Sequence, residues 1–189
     1  LCCESYVAVK LRLFVAVELD DATRAFAGRI VERLQALGVA GRYEPIEKLH
    51  VTVAFLGAVA PDKLDDIIKT LQTSTAACSP FELRFERVGV FPSERRPRVL
   101  WIGPALENAA FGECANAVRT AYARIGFSFD HDPLAHITIC RPRVAPAGAV
   151  GTLPGSVTLR VRGLTLMRSL PAGPTTRYEA LERTSFIAQ

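Results

Sequence analysis

Two short stretches of this 189-residue chain place a threonine two positions after a histidine: His50-Val51-Thr52-Val53 and His136-Ile137-Thr138-Ile139. In a β-strand, side chains alternate between faces, so a histidine and a threonine two apart share one face and the apolar residues between them take the other. Each stretch then offers an imidazole and a hydroxyl side by side. Imidazole titrates near pH 6.5 and is available at neutral pH both with and without its second proton. Two such rings facing one ligand can act as base and acid in a single displacement, with the hydroxyls donating to the charge that develops. The chain has only three histidines. The third lies in His131-Asp132-Pro133, which reads as a surface turn.

The surrounding pattern supplies strands for both stretches. Residues 11–17 read as a strand rich in β-branched and aromatic residues. Asp20 or Asp21 can cap a helix running to about Leu37, with Ala22, Phe26, Ile30, Leu34 and Leu37 as its inward stripe and Gly38 as its stop. Arg42 to Pro45 is extended, and the first motif strand covers 49–55 and ends at Gly57. Pro61-Asp62 opens a second helix with Leu64, Ile67, Ile68 and Leu71 inward. Residues 81–90 and 98–102 read as strands around a loop. A third helix begins at Leu106 and stops at Gly126. The second motif strand covers 135–140. Residues 142–155 read as a loop, 156–168 as strand broken near Gly163, and 175–186 as a last strand. The succession strand, helix, motif strand occurs in each half, a weak internal duplication.

Composition bounds the function. A hydrophobic content of 49% is ample for a core, and the length fits one medium domain or two small lobes. No apolar run reaches the ~18 residues of a membrane span, and Glu4, Lys10 and Arg12 interrupt any apolar segment at the start. Five cysteines, an odd number without metal-ligand spacing, point to free thiols in a reducing compartment, hence the cytoplasm. The net charge is +4, and of 23 basic residues only Lys10, Lys48, Lys63 and Lys69 are lysine. Arginine suits bidentate phosphate contacts; the bias fits a polyanionic ligand and equally a GC-rich genome.

The paired motifs resemble the signature of the two-histidine phosphoesterase superfamily, and within it the RNA 2′,3′-cyclic phosphodiesterases once described as 2′-5′ RNA ligases. Leu11 to Val17 resembles the family's opening strand, Phe91-Pro92-Ser93 through Arg96 to Gly103 its middle segment, and Ser169-Leu170, Gly173-Pro174 and Tyr178 its last hairpin. The resemblance implies an α+β fold: a bilobal pseudo-two-fold duplication in which two antiparallel sheets line a central cleft with helices outside. Residues 1–10 are then an N-terminal extension of unclear role, and 11–189 one bilobal domain. The implied reaction is hydrolysis of a 2′,3′-cyclic phosphate, at RNA ends or in small cyclic nucleotides, to a 2′-phosphomonoester, with weak 2′-5′ ligation. By resemblance His50 is the proton donor to the departing 3′ oxygen and His136 the acceptor from water; the sequence alone is symmetric in the two. Arg141, five after His136, matches a phosphate-contact position, and Phe55, five after His50, a base-stacking one. Phe55 is three from Thr52, so a regular strand turns it into the core; reaching the cleft requires a strand end or bulge at Leu56-Gly57. Ala135 stands where the family often has Pro, and Tyr43 where it often has Trp. Arg95, Arg96 and Arg98 are candidate backbone-phosphate contacts.

A non-catalytic RNA-end or nucleotide-binding module would need no matched pair of His and Thr. A metal hydrolase would need acidic or Cys partners at ligand spacing, which neither histidine has. The expectation is therefore metal-independent catalysis without cofactor, by a monomer, on RNA ends or cyclic nucleotides and away from membranes.

Overall fold

A computed structural model of the chain describes residues 9–143, 148–173 and 175–187. Cys2 and Cys3, most of the N-terminal extension, and Pro174 of the last turn lie outside them.

The chain folds as β1 (Leu11–Glu18), α1 (Asp21–Ala36), β2 (Gly41–Tyr43), β3 (His50–Val59), α2 (Leu64–Thr75), β4 (Phe81–Phe91), β5 (Val99–Gly103), α3 (Ala109–Ala123), β6 (Ile137–Pro142), β7 (Gly151–Val161), β8 (Gly163–Ala172) and β9 (Thr175–Ser185). The strands form a nine-stranded antiparallel sheet in the order β7-β4-β5-β6-β3-β1-β8-β9, with β2 added on β6. Two separate sheets were expected; the strands instead join into one, and the join between the motif strands β3 and β6 is a single residue pair, Val51 with Ile137.

Alternation builds the core. Leu13, Val15 and Val17 of β1 and Val51 and Val53 of β3 are buried in one cluster with Phe26, Ile30 and Leu34 of α1, Ile67 and Leu71 of α2, and Phe111, Val118 and Tyr122 of α3. Burying each such side chain contributes about 1.5–3 kcal/mol. The residues between them on β1, Phe14 and Ala16, form a small second cluster with Met167, against which Tyr178 packs.

Several boundaries differ from the sequence reading, each for a local reason. Asp20 caps α1 through Thr23 N at 2.7 Å, so Ala22 is exposed, and Leu37 lies past the helix end. Asn108 caps α3 through Phe111 N at 2.9 Å, which leaves Leu106 outside the helix and 84% exposed. Strand β3 runs through Gly57 to Val59. Residues 151–155, expected in a loop, belong to β7: Pro154 is tolerated because β7 is an edge strand, and its pairing with β4 slips between Phe85 and Arg87. Gly163 marks a close approach, since a side chain there would collide with the carbonyl oxygen of Thr184.

Candidate active site

The six residues singled out in the sequence, His50, Thr52, Phe55, His136, Thr138 and Arg141, all line one cavity of about 470 Å³. It straddles the junction of β3 and β6.

Phe55 and Arg141 reach it by the same device. Along β1, Val15 pairs with Ala54 and Ala16 with Thr52, so Val53 is an extra residue on β3. Val53 and Ala54 are both buried, and the alternation restarts with Phe55 on the face of Thr52. The break lies upstream of the Leu56-Gly57 position expected from sequence; a further slip of pairing follows there. On β6, Leu100 pairs with Cys140 and Trp101 with Thr138, leaving Ile139 extra. Ile139 and Cys140 are both fully buried, and Arg141 returns to the cavity.

Both imidazoles are anchored alike. His50 Nδ1 donates to the carbonyl of Lys48 at 2.7 Å, and His136 Nδ1 to the carbonyl of Leu134 at 2.8 Å. A carbonyl only accepts, so each Nδ1 carries a hydrogen and each Nε2 is the atom free to exchange protons. His50 Nε2 lies 3.1 Å from the Thr52 hydroxyl. Aromatic rings fix both planes: Phe14 at 4.9 Å and Tyr178 at 5.4 Å from His50, Phe91 at 5.0 Å and Trp101 at 6.4 Å from His136. Burial lowers the pKa of both rings below the ordinary imidazole value, against the raising effect of the carbonyl each ring binds. The free site therefore holds neutral rings at neutral pH. A bound anion would raise both again.

The sequence reading missed Arg12, Glu44, Lys48, Ser169 and Thr176, which also line the cavity, and Tyr178 in its contact with His50. Arg12 lies over the Phe55 ring at 5.1 Å, Lys48 over Tyr178 at 5.4 Å, and Glu44 meets Arg141 at 3.4 Å. Two of these were within reach: Arg12 shares a strand face with Phe14, and Lys48 precedes His50 by two. Ser169, Thr176 and Tyr178 depend on β8 and β9 folding back beside β1, with Arg12 opposite Ser169 and Ser169 opposite Tyr178. Arg95, Arg96 and Arg98 do not line the cavity, nor does Tyr43, whose hydroxyl donates to the Val39 carbonyl. The backbone carbonyl of His131 accepts from Arg119, and the residue lines a different depression. Among the described residues, no group of three or more His, Cys, Asp or Glu is placed to hold a metal ion.

A family model for LigT-like phosphoesterases matches residues 17–101. The RNA 2′,3′-cyclic phosphodiesterase of Archaeoglobus fulgidus is 36% identical over 171 residues, covering 87% of this chain and 95% of the relative. The chain belongs to the RNA 2′,3′-cyclic phosphodiesterase family. The Methanothermobacter thermautotrophicus member is 32% identical, over 88% of this chain and 95% of its own length. Among solved structures, Escherichia coli LigT complexed with 3′-AMP superposes with a TM-score of 0.79 at 27% identity, covering 94% of this chain and 98% of that one. The same E. coli protein has also been crystallised with ATP. Membership accounts for the opening strand, the Phe91 to Gly103 segment and the final hairpin that resemble the family. No helix among the described residues is long and apolar enough to cross a membrane.

Proposed function

We propose that this family member hydrolyses 2′,3′-cyclic phosphates at RNA ends or in small nucleotides to 2′-phosphomonoesters, by metal-independent acid-base catalysis. The observation that carries the reading is the matched anchoring of two imidazoles, each with Nδ1 on the carbonyl two residues back and Nε2 as the proton-exchanging atom, on the walls of one cavity.

His136 Nε2 takes a proton from water as the water oxygen bonds to phosphorus. The bond from phosphorus to the 3′ oxygen breaks, and His50 delivers its proton to that oxygen, leaving a 3′ hydroxyl and a 2′ phosphate. The proton gained by His136 and the one lost by His50 balance through solvent before the next turnover. Thr52 and Thr138 donate to the non-bridging oxygens, Arg141 adds a cation, and Phe55 offers an aromatic face to a base. The buried, neutral state of both rings supports the base directly; the phosphate's own charge supports protonation of the acid. With the 5′ hydroxyl of a second RNA in place of water, losing its proton to His136 as its oxygen bonds to phosphorus and the 3′ oxygen leaves with a proton from His50, the same displacement gives the weak 2′-5′ joining. The two four-stranded halves β9-β8-β1-β3 and β7-β4-β5-β6, each ending in a motif strand, are read as a duplicated pair of lobes. A cytoplasmic monomer acting on RNA ends is consistent with free Cys78, Cys114 and Cys140.

The test is incubation, in EDTA, with an oligoribonucleotide ending in a 2′,3′-cyclic phosphate, followed by mapping of the product phosphate. A 2′-phosphate is expected. A 3′-phosphate would reverse which oxygen leaves, and binding without turnover would overturn the enzymatic reading.

A further inference from the structure

We propose that Arg119 of α3 is a positioning residue that sets the separation of the two motif strands, its guanidinium tying the Val53 carbonyl of β3 to the His131 carbonyl of the segment leading into β6. The inference rests on the two-histidine reading above and deepens it. Two imidazoles that share one displacement must stand at a fixed distance across the phosphate, because each proton transfer needs heavy atoms within ~2.6–3.2 Å. The strands that carry them meet at one residue pair, Val51 with Ile137. A single pair fixes where two strands touch and leaves open the angle at which they part.

Arg119 sits where they part. The strands are antiparallel, so continuing their register would set Val53 opposite Ala135. No such pair forms among the described residues, and residues 132–136 belong to no strand. Arg119 Nε donates to the Val53 carbonyl at 2.8 Å, and a terminal nitrogen of the same guanidinium donates to the His131 carbonyl at 2.6 Å. Val53 is buried and is the extra residue of the β3 bulge. A bulge leaves its extra residue unpaired, and a buried carbonyl needs a donor. Here the donor comes from a helix instead of a strand.

The surroundings hold the guanidinium in place. Its central carbon lies 5.3 Å from the centre of the Phe129 ring, and its neighbours on α3, Val118 and Tyr122, are fully buried in the core. Burial lowers the Arg119 pKa from its ordinary value and the Asp132 charge acts the other way; arginine stays protonated at neutral pH all the same. Burying part of a cation is costly unless it is bonded, and the two carbonyls supply the bonds. Lysine would not serve equally, because its ammonium is a point donor without the planar fork that reaches two carbonyls. Through Val53 the contact holds the bulge beyond which Phe55 turns to the cavity. Through His131 it holds the approach to His136, five residues on. Arg119 does not itself line the cavity, so it acts through the strands.

The test uses the whole protein with Arg119→Met, which keeps the stem, and Arg119→Lys, which keeps the charge. Tyr122→Phe is the control: it removes another side-chain bond of α3, from the Tyr122 hydroxyl to the Ile67 carbonyl, away from the motif strands. Amide hydrogen exchange by NMR reads the strand junction, and turnover of an oligoribonucleotide ending in a 2′,3′-cyclic phosphate reads the chemistry. In Arg119→Met the amides of Val51 and Ile137 should exchange about tenfold faster relative to the rest of the sheet. The kcat per folded molecule should fall about 10²-fold, by more than KM changes. Arg119→Lys should lie between that variant and wild type in both readings. Tyr122→Phe should lower the midpoint of denaturant unfolding and leave the junction and kcat unchanged. Unaltered junction exchange in Arg119→Met, or an unaltered kcat, overturns the proposal. So does a loss of kcat in Tyr122→Phe as great as that in Arg119→Met, because Arg119 is then a stabilising contact and nothing more. If Arg119→Met does not fold, Arg119→Lys carries the test, and wild-type values in it overturn the proposal. Failure of the two-histidine reading shows separately, as turnover that survives loss of either histidine; exchange at the junction then still decides the tie.

Discussion

The two motif strands carry the same three-part pattern, yet the walls behind them are built from opposite choices of side-chain size. Behind Thr52 stands Ala16, whose next neighbour across the sheet is Thr165. Behind Thr138 stands Trp101, whose neighbour is Gly89. The Trp101 indole occupies the space a side chain at Gly89 would need, and it stacks on Phe91 at 5.2 Å. His136 is therefore braced from within its own half by a bulky aromatic pair. The Ala16 position leaves room on the other side, and there Phe14 and Tyr178 close on His50 while Arg12, Lys48, Ser169 and Thr176 open onto the cavity. One half braces a ring with bulk and adds Thr138 and Arg141 to the cavity; the other braces a ring and furnishes most of the polar wall. A repeated motif thus fixes where two imidazoles stand, while the neighbouring strands decide how different their surroundings become.

The most severe way to break this comparison is to remove either ring. His50→Ala and His136→Ala should each lower kcat for a cyclic phosphate by about 10²–10⁴-fold, with circular dichroism unchanged. Retention of most activity in one variant would show that the halves are not catalytic equals. Next in size is the packing contrast. Gly89→Ala forces a methyl group against Trp101 and should cost about 1–3 kcal/mol in denaturant unfolding, with activity falling as His136 loses its brace. Replacement of Ala58, an exposed β3 residue, should leave both unchanged.

The hydroxyls sharpen the comparison. Thr52→Val removes a partner 3.1 Å from His50 Nε2 as well as a proposed phosphate donor, whereas Thr138→Val removes only the proposed donor. Both should lower kcat/KM, by about tenfold or less, and only Thr52→Val should change the His50 titration. The pH profile follows from the rings themselves. Because burial lowers both, kcat/KM of the free enzyme should be a bell lying to the acid side of one made by unperturbed imidazoles. The smallest effect belongs to Glu18, whose bond to Arg183 lowers its folded pKa below 4.5. That pair stabilises the fold above the unfolded carboxylate pKa and ceases to as pH falls through the lowered value. Both partners are well exposed, so Arg183→Gln should cost under about 1 kcal/mol at neutral pH and nothing in strong acid.

The fold was legible where local physics and tertiary context agree. The β-branched and aromatic run at 11–17, the alternation of Phe81, Leu83 and Phe85 that marks 81–90 as a strand, and the stripe Phe26, Ile30 and Leu34 are all found where the pattern puts them. Periodicity fails at Val53-Ala54 and Ile139-Cys140. A bulge adds a residue without altering composition, and nothing in those apolar pairs distinguishes a bulge from continued alternation. Phe55 and Arg141 reach the cavity through those bulges, so resemblance named them where parity did not.

By itself, the sequence determined which groups the proposed chemistry uses. Two histidines with a threonine two residues on, in strand-forming surroundings, present imidazole and hydroxyl on one face because side chains alternate along a strand. Only the tertiary structure decided what that chemistry is surrounded by. The single β3–β6 pair sets the two faces on one cavity, and β8 and β9 fold back beside β1 to bring Tyr178 onto His50. The β2 segment lies across β6 and carries Glu44 to Arg141. These contacts join residues far apart in the chain. Their energy depends on three-dimensional burial and pairing rather than on any spacing that a linear sequence displays.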